Sequence, residues 1–100
     1  MRITLVKKIL SDGSPCAKCR DVEQKLRDND QLRLIDETVV ADERDQASPG
    51  MVLARQYGVS RAPFFVVEDS AASGEPQVYT VYFKFAKEVL QPLQRAAEAS

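Results

Sequence analysis

The two cysteines of the chain, Cys16 and Cys19, stand three positions apart, after an apolar stretch and at the head of a helical pattern. Three residues is close to one helical turn, so a helix through both places the two sulfurs on one side, near enough to form a disulfide. The thiolate is the form of cysteine that attacks disulfides and binds metals. This spacing indicates a redox-active Cys16/Cys19 pair, which needs no other cofactor, with half of a zinc site or two ordinary thiols as the alternatives.

The residues around Cys16 favour it as the attacking thiol. Ser14 and Pro15 predict a helix that is capped by the serine and has the proline at its first position. The free amides and the positive end of such a helix stabilise an anion, and Cys16 is the sulfur nearer to that end. Lys18 and Arg20 add positive charge. We assign Lys18 an electrostatic supporting role, with an ordinary solvated lysine as the alternative.

Cys19 has a different set of neighbours. With Val22 and Leu26 it forms a stripe at spacings of three and four, while charged and polar residues fill the other faces of the helix. We therefore expect Cys19 to be the more buried sulfur. This predicts that exposed Cys16 attacks a disulfide and that sheltered Cys19 then attacks the mixed disulfide to release the product.

Length and composition exclude several classes of protein. A chain of 100 residues with 44 % apolar content predicts one domain over residues 1–100. Histidine is absent, which excludes a Cys-His nucleophile pair and a Cys2His2 zinc site. The net charge of -1, with acidic and basic residues interspersed, predicts no nucleic-acid partner and no membrane partner.

The apolar runs of the chain also bear on its location. None reaches the ~20 residues of a membrane span. The first ten residues, MRITLVKKIL, are too short and too interrupted by lysines for a secretory signal. We therefore expect a cytoplasmic protein, and in a reducing compartment paired cysteines are more often catalytic or metal-binding than structural.

The elements that position the cysteines follow from the pattern along the chain. A parallel crossover followed by a hairpin predicts an α/β domain of order βαβαββα, with a mixed four-stranded sheet and helices on both faces. A short helical turn is expected within residues 31–36, and a hairpin connection over 69–76. Strands are predicted over 2–10, 37–41, 64–68 and 77–82, and helices over 15–28, over 48–58 and from Phe85 onward with a break or kink near Pro92.

A second motif stands directly before the third strand. Ala62 and Pro63 precede the run FFVV, and proline can begin a strand but cannot occupy the middle of a central one. The segment CAKC at the end of the first strand and the segment LARQYGVSRAP that ends at Pro63 together resemble the thioredoxin superfamily. The resemblance covers essentially the whole chain.

This resemblance implies a thioredoxin-like fold and a thiol-disulfide oxidoreductase that exchanges electrons with a protein or small-thiol disulfide. It implies that Cys16 is the nucleophile and Cys19 the resolving thiol. It also implies that Pro63 is cis and faces the two cysteines, with the backbone of Ala62 binding the substrate chain. A thiol or a reductase would supply the electrons. An ordinary trans proline that begins a strand is the alternative for Pro63.

The chain departs from the best-known branches of that superfamily. Thioredoxins carry tryptophan before the first cysteine and Gly-Pro between the two, whereas this chain has Pro15 and the pair Ala17-Lys18, and no tryptophan. The short layout is closer to glutaredoxin. However, Val81, Tyr82, Phe83 and Lys84 stand where glutaredoxins have the glycine-rich, aspartate-ended segment that holds glutathione. Glutathione is therefore not expected as a partner.

Two other functions remain open from the sequence. A non-catalytic binding module of the same fold would use Pro63 with Phe64 and Tyr57 as a partner surface, although both aromatics are more typical of a core. A metal site would require two chains, each donating Cys16 and Cys19 to one shared ion. The direction of a redox reaction is also open, because known CxxC proteins span reduction potentials from about -270 to about -120 mV.

Overall fold

The chain forms a mixed four-stranded sheet. The computed structural model describes residues 1–69 and 74–99. The strands are β1 (Arg2–Ile9), β2 (Glu37–Asp42), β3 (Phe64–Glu68) and β4 (Gln77–Tyr79), in the spatial order β2-β1-β3-β4. Strand β1 pairs in parallel with β2 and antiparallel with β3, and β3 pairs antiparallel with β4. The predicted α/β class and mixed sheet are confirmed.

Helical segments connect the strands and follow the last of them. A single 3-10 turn, Leu32–Leu34, lies where a short helical turn is predicted. Across residues 1–69 and 74–99, none of the helices has both the length and the apolar character needed to cross a membrane. The longer segments are α1 (Ala17–Asp28), α2 (Pro49–Tyr57), α3 (Tyr82–Phe85) and α4 (Gln91–Ala99), with a π-helical segment, Ala86–Leu90, joining α3 to α4.

One face of the sheet packs against α1 and the C-terminal helical region. Side chains alternate between the two sides of a strand, so Ile3 and Leu5 of β1 point to the same face as Phe65 of β3. These three residues are buried with Leu26 of α1 and Phe85 of α3 in one apolar cluster. The rings of Phe65 and Phe85 stack with centroids 3.9 Å apart. This contact joins α3 to the middle of the sheet.

The opposite face packs against α2. Val6 of β1, Ala41 of β2 and Phe64 of β3 are buried there, and Met51 and Ala54 of α2 cover them. Because both faces of β1 and β3 are covered, their apolar residues run nearly without interruption, as expected for strands buried on both sides. The prediction of helices on both faces is confirmed.

The last strand is shorter than predicted. A strand is expected over residues 77–82, but β4 ends at Tyr79 and Tyr82 is the first residue of α3. Tyr82 packs on the same cluster as Phe85 and Val89, three and seven positions later, which is a helical spacing. The helical stripe therefore begins one turn earlier than predicted.

The predicted break near Pro92 takes the form of a wide turn just before it. Proline lacks a donor and its ring clashes with the carbonyl four residues earlier, here that of Glu88. The π-helical segment Ala86–Leu90 includes that carbonyl. A wider turn at this point relieves the clash, so the helix continues through Pro92 to Ala99. Half of the connection predicted over 69–76, residues 70–73, lies outside the described residues.

Candidate dithiol site

The segment before the first cysteine is tied to the end of β1. Pro15 forms a β-bridge with Ile9, and the amide of Cys16 donates to the carbonyl of Lys8 at 3.3 Å. These contacts hold residues up to Cys16 alongside the strand. Helix α1 therefore begins only at Ala17.

The predicted helix start is wrong by two residues. Ser14 does not cap the helix, and its hydroxyl donates to the carboxylate of Asp12 at 2.6 Å instead. Pro15 is not the first helical residue, because its bridge to β1 keeps the backbone there outside the helix. The residue that caps α1 is Cys16 itself.

Cys16 occupies a position that usually belongs to serine, threonine, aspartate or asparagine. Its backbone is extended, with φ -74° and ψ 123°, and its sulfur accepts the amide N–H of Cys19 at 3.4 Å. A capping sulfur lies directly against the free amides and the positive end of the helix, a position that favours anions in general. Cys16 is also partly exposed to solvent. The arrangement suits an attacking sulfur.

Cys19 is buried, as predicted, with 3 % of its surface exposed. Burial, and after it a hydrogen bond with Cys16, are the main causes that raise the pKa of the Cys19 thiol to about 12. The amide of Lys8 donates to the Cys19 sulfur at 3.4 Å and lowers the pKa, but this contribution is smaller. Cys19 is therefore a neutral thiol at physiological pH. Because its hydrogen bond with Cys16 favours the protonated form of Cys19, Cys19 is the donor in that bond and Cys16 the acceptor.

This raised pKa predicts a pH dependence of stability. An unfolded cysteine loses its proton near pH ~8.5. Below pH ~8.5 Cys19 keeps its proton in both the folded and the unfolded state. Between that pH and the folded pKa of about 12, only the unfolded chain loses the Cys19 proton. The contribution of Cys19 to stability therefore falls as pH rises. We expect the free energy of unfolding to fall faster with pH for the unsubstituted protein than for Cys19→Ser, by up to ~1.4 kcal/mol per pH unit.

Urea unfolding between pH ~8.5 and ~10.5 measures this difference. Lysine and tyrosine residues titrate in both proteins, so their effects cancel in the comparison. Equal slopes for the two proteins would contradict a raised pKa of Cys19.

An ion pair that is not visible in the sequence lies beside Cys19. Lys7 of β1 lies 3.3 Å from the carboxylate of Glu23, which also contacts Arg27 at 3.9 Å. Glu23 stands four residues after Cys19, so it occupies the next turn on the same side of α1. Its negative charge raises the pKa of Cys19. The spacing of four between Cys19 and Glu23 is visible in the sequence, but the pairing of Glu23 with Lys7 of β1 is not.

The second predicted motif lies at the same end of β1 as the cysteines. Phe64, the first residue of β3, pairs with Val6, and the cysteine segment is bonded to Lys8, two residues further along β1. Pro63 is buried, and the peptide bond between Ala62 and Pro63 is cis, as the resemblance implies. The sheet thus brings the two motifs to one edge of the fold.

Ala62 lies between two surface depressions. With Pro63 and Lys18 it lines a groove of about 330 Å³ between α1 and the β4–α3 junction, which we call the Pro63 groove. On the α2 side it borders a second depression of about 250 Å³, together with Lys8. Within the described parts of the chain, neither the N–H nor the C=O of Ala62 has a hydrogen-bond partner. The fold itself therefore does not use these two backbone groups.

Lys18 lines the Pro63 groove. Its side chain is exposed, and it forms no ion pair with any described residue.

Comparisons with protein-family models, with curated proteins and with solved structures find no match for this chain. Over residues 1–69 and 74–99, no three side chains among His, Cys, Asp and Glu are grouped so that they could hold a metal ion.

Proposed function

We propose that the protein is a thiol-disulfide oxidoreductase of thioredoxin-like fold, with Cys16 as nucleophile and Cys19 as resolving thiol. The observation that carries this proposal is the asymmetry between the two sulfurs. Cys16 caps α1 and is partly exposed, whereas Cys19 is 3 % exposed and lies one turn further along the helix. Such a pair combines a stabilised thiolate at the surface with a protonated thiol beneath it.

The reaction proceeds through two exchanges at sulfur. The Cys16 thiolate attacks one sulfur of the substrate disulfide; that S–S bond breaks, and its electron pair leaves with the other sulfur, which takes up a proton. The Cys19 thiol then gives up its proton and attacks the Cys16 sulfur, releasing the substrate's second sulfur as a thiolate. Two electrons have passed from the dithiol to the substrate, and an external thiol or reductase returns them to the Cys16–Cys19 disulfide.

The contacts of Cys19 suit it to act second. Two of the influences that raise its pKa come from Cys16, namely a hydrogen bond and a negative charge. Both are lost once Cys16 is joined to substrate in a mixed disulfide. The amide of Lys8, which favours the Cys19 thiolate, stays in place. Cys19 therefore becomes easier to deprotonate at the step in which it must attack.

The second motif supports a polypeptide substrate. An extended chain that passes Ala62 could pair with its free N–H and C=O, as strands do when they add to an exposed edge. The resemblance of CAKC and of LARQYGVSRAP to the thioredoxin superfamily assigns the same role to Ala62 and Pro63. The order of strands and helices, with both motifs at one end of β1, also supports the proposal.

Alkylation of the reduced protein with iodoacetamide tests the proposal, with the labelled cysteine identified by mass spectrometry. We expect Cys16 alone to be labelled at pH ~7, and faster than glutathione under the same conditions, because only a stabilised and accessible thiolate reacts there. Cys19→Ser serves as the matched control and should label at the same rate.

Two results would refute the proposal, and each points to a different function. If both cysteines are labelled at the rate of free thiols, the site is not activated and a non-catalytic binding module is favoured. If neither is labelled until a chelator is added, the cysteines hold a metal that is shared between two chains.

A further inference from the structure

The Pro63 groove has an exposed apolar wall. Val81 and Phe83 line it, with 50 % and 71 % of their surfaces exposed. They are two of the four large apolar residues that are exposed in the described parts of the chain. Exposed apolar residues that adjoin one another beside a functional site are typical of a contact surface.

The same groove is rich in positive charge. Lys18, Lys25 and Arg61 line it, against the single carboxylate of Asp21. None of the three cations lies within ion-pair distance of a carboxylate in the described residues. Of the cations outside the groove, Arg20, Arg55, Lys84, Lys87 and Arg95 also have no carboxylate partner in the described residues, whereas one is present for Arg2, Lys7, Lys8, Arg27, Arg33 and Arg44.

Lys25 places a positive charge beside two aromatic rings of the groove. Its ammonium lies 5.1 Å from the ring centroid of Phe83 and 5.9 Å from that of Tyr82. Cation–π contacts of this kind keep the ammonium at the wall of the groove and leave its outer side free for an anion. A ligand that meets Phe83 therefore meets a positive charge at the same point.

We propose that the Pro63 groove docks an acidic segment of the protein substrate that also carries an apolar side chain. This inference rests on the proposed function, because it names the substrate class of the same site. An extended segment that passes Ala62 brings its apolar side chain against Val81 and Phe83, and its carboxylates face Lys25 and Arg61. Glutathione has carboxylates but no apolar side chain for this wall, so a polypeptide is the better fit.

Three synthetic peptides of equal length test this inference. Each carries one cysteine blocked as a disulfide with 2-thiopyridine, flanked by leucine with glutamates, by leucine with lysines, or by serine and glutamine. The Cys16 thiolate of the Cys19→Ser protein attacks the peptide sulfur, and 2-thiopyridone leaves with the electron pair and is followed by its absorbance. We expect the acidic peptide to react ~10-fold faster than the basic one at low salt, with the ratio shrinking as salt is added.

Charge reversal within the groove provides the matched comparison. Lys25→Glu combined with Arg61→Glu is expected to reverse the preference, so that the basic peptide reacts faster. Arg55→Glu combined with Arg95→Glu changes the net charge equally at exposed positions outside the groove and is expected to keep the preference for the acidic peptide. If the variant with Lys25→Glu and Arg61→Glu does not fold, the rates of the three peptides with the Cys19→Ser protein still decide whether the groove prefers an acidic segment.

The outcomes separate this inference from the proposed function. If no peptide reacts with Cys16, the proposed function fails and the docking site fails with it. If all three react at one rate, thiol-disulfide exchange stands and the docking inference is overturned. If the 2-thiopyridine disulfide of glutathione reacts as fast as the acidic peptide, the site takes small thiols and the inference is likewise overturned.

Discussion

Cys19→Ser is expected to stop the reaction at the mixed disulfide, and Cys16→Ser is expected to abolish it. Without Cys19 the first exchange still occurs, but no internal thiol attacks the Cys16 sulfur to release the substrate. Without Cys16 the remaining sulfur is 3 % exposed and protonated, so no thiolate meets the substrate. Loss of a nucleophile costs on the order of 10³-fold or more in rate.

Turnover of a disulfide peptide with dithiothreitol as reductant measures both effects. Samples quenched in acid are analysed by mass without reduction. Cys19→Ser should carry one peptide per chain, removable by dithiothreitol, and Cys16→Ser should carry none. Cys19→Ala provides a second version of the trap and controls for the buried hydroxyl that serine introduces. Undiminished turnover by Cys16→Ser would show that Cys16 is not the nucleophile.

Local periodicity was sufficient to predict which sulfur is buried. Cys19, Val22 and Leu26 fall on one side of a helix by spacing alone, and the structure buries Cys19 and Leu26 while Val22 packs against the same cluster as Leu26. That inference depends only on the geometry of α1. It needs no knowledge of what the helix packs against.

The helix start was mispredicted because a tertiary contact overrides a local preference. Ser14 and Pro15 form a good local signal for the first turn of a helix. The bridge between Pro15 and Ile9 holds this segment against β1. The two residues come close in space only after the loop between them has folded back. The cap therefore passes to Cys16, which puts the sulfur closer to the helix amides than the sequence alone predicts.

The environment of the site depends on packing between distant segments, so it cannot be predicted from local sequence patterns. The pair Lys7–Glu23 forms only when α1 lies over β1. The position of Lys25 over Phe83 requires the C-terminal helical region to pack beside α1. Both contacts join residues on different elements, for which periodicity carries no information.

Gly50→Ala is expected to destabilise the protein by about 3 kcal/mol or more, beyond the usual range for overpacking. At an exposed helix position this change stabilises by about 1 kcal/mol, so helix propensity predicts the opposite sign. A β-carbon on Gly50 would lie 2.2 Å from the backbone nitrogen of Ala41 and 2.4 Å from the carbonyl carbon of Val40. Backbone atoms of β2 cannot rotate away as a side chain can, so α2 must move off the sheet.

Urea unfolding of Gly50→Ala and of Gly74→Ala measures the effect against a matched control. A β-carbon added to Gly74 would have no heavy atom of the described residues within 4 Å, and the same substitution there is expected to change stability by less than ~0.5 kcal/mol. If Gly50→Ala fails to express in folded form, Gly74→Ala shows that the substitution itself is tolerated. Equal midpoints for the two variants would mean that α2 does not lie in backbone contact with β2, and the packing on that face of the sheet would have to be revised.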